Sequence, residues 1–242
     1  MEEMSDARSG GSDSDYWAVP PGSGPWPGVV VIMDALGISA DLRQQCDRLA
    51  RAGYLALAPD LYSWGSKITC IRAAFVALRR GSGRAFQDIE AARIALARHS
   101  DCNGAGGVIG FCMGGGFALL SAAGGRYRAA SVNYGQVPQN PANRLEGVCP
   151  VVASYGARDR QLRGHAARLS NALAELGVEH DVWEYPGVGH GFMNHHVGKM
   201  GTVIGLFGVR YDAESAEDSW RRILAFFAEH LNTAPPASPP VA

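Results

Sequence analysis

Long apolar runs are missing from this chain of 242 residues, and none is long enough to span a bilayer. Residues 1–15 are acidic and rich in Gly and Ser, and lack the apolar centre of a secretory leader. Charge of one sign is missing too. Lys and Arg number 22 against 23 Asp and Glu, a net charge of −1, so no field draws the chain to nucleic acid or to an anionic membrane. Cysteine is sparse and unpaired. The five, Cys46, Cys70, Cys102, Cys112 and Cys149, are scattered and odd in number, which argues against a disulfide framework and against a zinc site. The expectation is a cytoplasmic protein with no internal repeat and no second domain.

What is present suits one α/β domain. Hydrophobic residues make up 47% and charged residues 19%, the balance of a globular chain with a sizeable core. Residues 1–14 and the Pro-rich residues 233–242 have no reason to fold, which leaves a domain over 15–232. Residues 28–33 form a β-branched run typical of a strand buried on both faces. Residues 16–19 read as a short edge strand. Ser39 caps a helix with Leu42, Cys46, Leu49 and Ala50 at helical spacing, and Gly53 ends it. Strands follow at 54–58, 107–110, 129–134, 150–155 and 178–185. Helices are expected at 71–80, 85–98, 162–176 and 213–231, and loops at 136–146 and 186–211. Alternation of this kind predicts a mostly parallel sheet with helices on both faces, and ligand chemistry at the carboxyl ends of its strands.

One stretch is built for chemistry. Residues 107–116 read Gly-Val-Ile-Gly-Phe-Cys-Met-Gly-Gly-Gly: a strand, a sharp turn and the start of a helix. The frame Gly-x-Cys-x-Gly places Cys112 where a nucleophile is raised on a strained turn that needs small neighbours. A helix N-terminus there favours thiolate, and leaves the Met113 amide free to bind a developing oxyanion. A small buried Cys packed before a Gly-rich turn reads the ten residues equally well.

A thiol nucleophile needs a base and a group that orients the base. Asp159 and His190 both follow strands, in the order nucleophile, acid, histidine. Asp159 also reads as a cap for the helix near Leu162. His190 is flanked by Gly189 and Gly191, which expose backbone and let the ring approach a partner. His99, His165, His180, His195, His196 and His230 default to the surface, although His195 and His196 stand close enough to line a pocket. A second oxyanion donor is expected from the loop after the first buried strand, where the Ala35 amide is the candidate. Asp34 beside it is odd, because a carboxylate would repel an oxyanion. It turns outward, or it accepts the thiol proton, or it is simply a loop residue.

These stretches together resemble the dienelactone hydrolase family, a cysteine-nucleophile branch of the α/β-hydrolases. Residues 29–37, 53–62, 110–115, 155–159 and 189–192 carry the resemblance, which spans about residues 16–231. It implies an α/β-hydrolase fold and a Cys112–His190–Asp159 triad. It also implies an oxyanion hole from the Ala35 and Met113 amides, with neither cofactor nor metal. The implied substrate is a small-molecule ester or lactone, cleaved through a thioester acyl-enzyme. A general carboxylesterase or thioesterase, a redox-active thiol protein and a non-enzymatic binder are the alternatives. Tyr62, Tyr134 and Phe192 are expected in the pocket wall.

Two positions depart from the family. It usually carries Glu where Asp34 stands, a group thought to exchange partners with the thiol when substrate binds; Asp is one methylene shorter. Its type enzymes hold a substrate carboxylate with arginines, one shortly after the histidine, where this chain has Met193 and Asn194. Arg72, Arg79 and Arg80 are available for the other. Phe192, Met193, Met200, Leu206 and Phe207 are expected to wall the pocket or to form a self-association surface, in a monomer or homodimer.

Overall fold

A computed structural model describes residues 14–196 and 210–232. Seven strands form one sheet in the order β1-β3-β2-β4-β5-β6-β7. They are β1 (Tyr16–Ala18), β2 (Trp26–Ile32), β3 (Leu55–Ala58), β4 (Cys102–Phe111), β5 (Ala129–Asn133), β6 (Val151–Gly156) and β7 (His180–Tyr185). Only β1 runs antiparallel, on β3 at the edge; every other pairing is parallel. Parallel neighbours need crossovers, and helices supply them. They are α1 (Ala40–Arg51), α2 (Lys67–Arg80), α3 (Arg84–Arg98), α4 (Met113–Ser121), the single turn α5 (Pro141–Arg144), α6 (His165–Glu175) and α7 (Ala213–Leu231).

Side chains alternate across a strand, and the glycines of β2 and β4 show which helix lies on which face. Gly28 pairs with Gly106, and a Cβ on Gly28 would meet Leu96 of α3. Gly107, one residue on, faces the other way, and a Cβ there would lie 2.8 Å from Leu231 of α7. α3 and α4 thus share one face, with Phe86 edge-on to Phe117 at 4.9 Å. α1 and α7 cover the opposite face and are joined by the Arg48–Glu217 ion pair. With both faces covered, β2, β3, β5 and β6 are almost wholly buried, as their β-branched and alanine-rich runs imply.

The expected elements are present, with shifts that have local causes. Ser39 caps α1 by accepting from the Leu42 amide at 3.2 Å. α2 starts at Lys67, four residues before the expected boundary, because the Ser66 side chain caps it by accepting from the Thr69 amide. α6 starts at His165 rather than Leu162, because the Gln161 and Leu162 amides are held by the Asp159 side chain. The loop expected at 136–146 contains α5, with Pro141 at its first position. Among the described residues no helix is long and apolar enough to cross a membrane. The expectations for residues 1–13 and 233–242, and for Met200, Leu206 and Phe207, fall outside the described residues.

Candidate active site

β4 ends at Phe111 and α4 begins at Met113, so the whole reversal is made at Cys112. Its φ of 56° and ψ of −117° lie where a side chain is strained, at a cost of order 1–3 kcal/mol. The glycine frame makes the turn possible. A Cβ on Gly110 would lie 2.0 Å from the Gly114 carbonyl oxygen, and one on Gly114 would lie 2.2 Å from that of Ile32. The Cys112 amide donates to the Asn133 carbonyl at 3.0 Å, and the Asn133 side chain donates to the Gly110 carbonyl at 3.2 Å. The next strand thus anchors the turn from below. Cys112 is partly exposed, whereas Cys46, Cys70 and Cys149 are buried.

His190 comes from the loop after β7 and reaches two partners. Its Nδ1 is 2.6 Å from Asp159 Oδ2, and the Cys112 side chain is the second group whose interaction acts on the ring. Asp159 divides its oxygens. Oδ1 accepts from the Gln161 and Leu162 amides at 2.9 and 3.3 Å, while Oδ2 faces the imidazole. The capping contact and the contact with the imidazole therefore coexist in one side chain. The two loops are also joined to each other. The Arg158 amide donates to the Val188 carbonyl at 2.9 Å, and Gly156 leaves room for the Val188 and Gly189 carbonyls, 2.6 Å from where a Cβ would stand.

Electrostatics follow from this geometry. Burial alone would lower the His190 pKa. The hydrogen bonds to Asp159 and Cys112, and the charges of both, outweigh it and raise the pKa to about 10. Burial would raise the pKa of Asp159, but the His190 hydrogen bond and charge, with the two amides, hold it below the usual carboxylate range.

Met113 is the first residue of α4, so its N–H has no helical acceptor. In the loop after β2 the Leu36 amide donates to Asp34 Oδ1 at 2.7 Å and the Gly37 amide to the Asp34 carbonyl. The Ala35 N–H has no acceptor among the described residues. Tyr62 donates its hydroxyl to the Ala35 carbonyl at 3.3 Å. The peptide joining Ala35 to Leu36 is thus held at both its C=O and its N–H. Asp34 does not point into solvent. It is buried, with Oδ2 3.4 Å from His196 Nε2.

Tyr134 and Phe192, expected in the pocket wall, are instead fully buried. Tyr134 lies edge-on to the His190 ring at 5.3 Å and to Phe192 at 5.6 Å, so Tyr134 packs against the imidazole with Phe192 behind it. Tyr62 is the partly exposed member of the three.

No local motif points to the groups that hold the chain after His190. Asp41 on α1, also buried, accepts from Asn194 Nδ2 at 2.6 Å and from the His195 amide at 2.8 Å. Asn194 in turn accepts from the Tyr134 hydroxyl, and Gln45 donates to the Met193 carbonyl. The His195 ring packs on Tyr211, and Arg72, Arg79 and Arg80 are exposed on α2. Glu179, Glu229 and His230 bring ligand atoms within 4.8 Å of one another, but Glu179 precedes β7, at the end of the strand away from His190.

A parallel sheet covered by helices on both faces, with a tight turn after its central strand, is the fold of an α/β-hydrolase, and here a cysteine stands at that turn. The model of the dienelactone hydrolase family matches residues 14–231, and the chain belongs to that family. It is an enzyme of the dienelactone hydrolase type, a carboxylic ester hydrolase. It is 29% identical to a Yersinia pestis protein named "Putative carboxymethylenebutenolidase", over 88% of this chain and 82% of that one. It is 28% identical to a Rhodococcus opacus carboxymethylenebutenolidase, covering 84% and 81%. Among solved structures, a "Putative Dienelactone Hydrolase" from Klebsiella pneumoniae superposes with a TM-score of 0.71 at 26% identity, covering 89% of this chain and 92% of that one.

Proposed function

We propose that this protein hydrolyses ester or lactone bonds of small molecules, with Cys112 as nucleophile, His190 as general base and acid, and Asp159 as the group that orients the ring. The observation that carries the reading is the double engagement of His190, with Asp159 on one side and the Cys112 side chain on the other. The sulfur attacks the carbonyl carbon, and the new oxyanion sits between the Met113 and Ala35 amides. Each such donor is typically worth about 3 kcal/mol. The imidazolium gives its proton to the leaving oxygen as the C–O bond breaks. In a lactone that oxygen stays tethered to the acyl group.

The raised His190 pKa suits this first half-reaction, because the proton is already on the ring at neutral pH. It also explains the second half. Acylation converts the sulfur to an uncharged thioester, which removes the Cys112 contributions that raise the pKa. With its pKa lowered, the ring stays neutral after giving up its proton and is free to take one from water, and hydroxide attack releases the acid and the thiolate. Asp159 holds the tautomer through both steps. The relatives named carboxymethylenebutenolidase support lactones among the substrates.

The test is an acyl-enzyme trap. Enzyme mixed with p-nitrophenyl acetate and quenched in acid should carry acetyl on the peptide containing Cys112. Acetyl on any other residue, at a rate that accounts for turnover, would remove the assignment.

A further inference from the structure

Asp34 stands where electrostatics argues against a carboxylate. It adjoins the Ala35 amide, and the Tyr62 and Tyr134 hydroxyls both feel its charge together with that of Cys112. An anion at this distance from a developing oxyanion opposes the reaction in a site of low effective dielectric. Yet Asp34 is needed, because its Oδ1 accepts from the Leu36 amide and so fixes the peptide next to Ala35. The second oxygen explains how both can hold. His196 Nε2 lies 3.4 Å from Oδ2, and both side chains are only 10% exposed.

We propose that His196 is a positioning residue whose imidazolium neutralises Asp34, so that the oxyanion loop keeps a carboxylate anchor without presenting a net negative charge to the transition state. The proposal rests on the esterase reading above. Two carboxylates face this ring: Asp34 from the loop after β2 and Asp41 from α1. Asp41 is already committed to Asn194, Gln45 and the His195 amide. That leaves Asp34 as the hydrogen-bonded partner, and its bond and charge raise the His196 pKa against the effect of burial. The nearby Lys67 ammonium serves the backbone of the same loop, at the Leu36 carbonyl.

The experiment is a double-mutant cycle. His196→Gln keeps a donor for Asp34 and removes the charge. It should lower kcat for p-nitrophenyl acetate about tenfold with little change in KM, because the oxyanion exists only in the transition state. Asp34→Asn in that background still offers an oxygen to the Leu36 amide, without a charge to compensate, and should recover most of the loss. Full activity in His196→Gln, or a double variant no better than the single one, would overturn the proposal. A second readout needs no turnover. NMR titration of the His196 ring should move to lower pH in Asp34→Asn, and an identical titration in both proteins would also overturn it. Should the wild type fail to cleave esters, the esterase reading fails and the titration alone judges the pair.

Discussion

β4 carries a cysteine at its first residue, Cys102, and another just past its last, Cys112. Both are partly exposed, and about 30 Å of strand separates them. Cys102 pairs with Trp26 at the irregular start of the strand, where the register shifts before Gly28 meets Gly106, and burial raises its thiol pKa against the weaker pull of the Gly104 and Gly28 backbone. Cys112 sits at positive φ, at a helix N-terminus and against an imidazole. The side chain is the same and the exposure similar, so what separates the two thiols is the company each keeps at its end of the strand.

The sharpest way to break that comparison is to delete each thiol in turn. Cys112→Ala should reduce ester turnover by about 10⁶-fold, the scale of losing a nucleophile that acts as part of a unit, while Cys102→Ala should turn over like the wild type. Comparable losses in the two variants would erase the distinction. The same strand allows a second contrast. Gly110→Ala drives a Cβ into the Gly114 backbone and should abolish activity with the elbow. Gly107→Ala meets only the tip of Leu231 and should cost about 1–3 kcal/mol in denaturant melts, the usual range for overpacking, with turnover intact.

Reactivity gives a milder measure. At pH 6, iodoacetamide should label Cys112 well before Cys102, and His190→Gln should slow the Cys112 reaction about tenfold, toward ordinary thiol behaviour. Equal labelling rates at the two sites would deny the imidazole its role. The smallest effect is on stability. The folded pKa of His190, about 10, lies above its unfolded value, so the unfolded chain releases this proton first as pH rises. The stabilisation is complete below the unfolded pKa and lost as pH climbs through about 10. Melting curves of the wild type and His190→Gln should therefore converge at alkaline pH, and a constant gap from pH 7 to 10.5 would contradict the pairing.

Much of this arrangement was legible in the linear order. The glycine spacing around Cys112 could be read as an elbow because the contacts that demand it, Gly110 with Gly114 and Gly114 with Ile32, are steric and leave small residues behind. The order Cys112, Asp159, His190 was readable because each follows a strand with clear β composition. Tyr134 and Phe192 were expected to line the pocket because an aromatic residue near the site suits a buried support and an open wall equally, and only burial tells them apart. The pairing of Asp34 with His196, and of Asp41 with Asn194 across 153 residues, had no local signature, since such bonds arise only when α1 docks beside the histidine loop.

The split duty of Asp159 has a consequence for anyone reshaping this scaffold. An amide side chain at that position still offers one oxygen to the Gln161 and Leu162 N–H groups, so a library screened for expression or heat resistance will retain Asn there as readily as Asp. The same exchange presents the imidazole with a donor in place of an acceptor and locks in the wrong tautomer. Stability selections on this protein will therefore accumulate well-folded but catalytically silent clones at position 159, and only a screen that reads product will remove them.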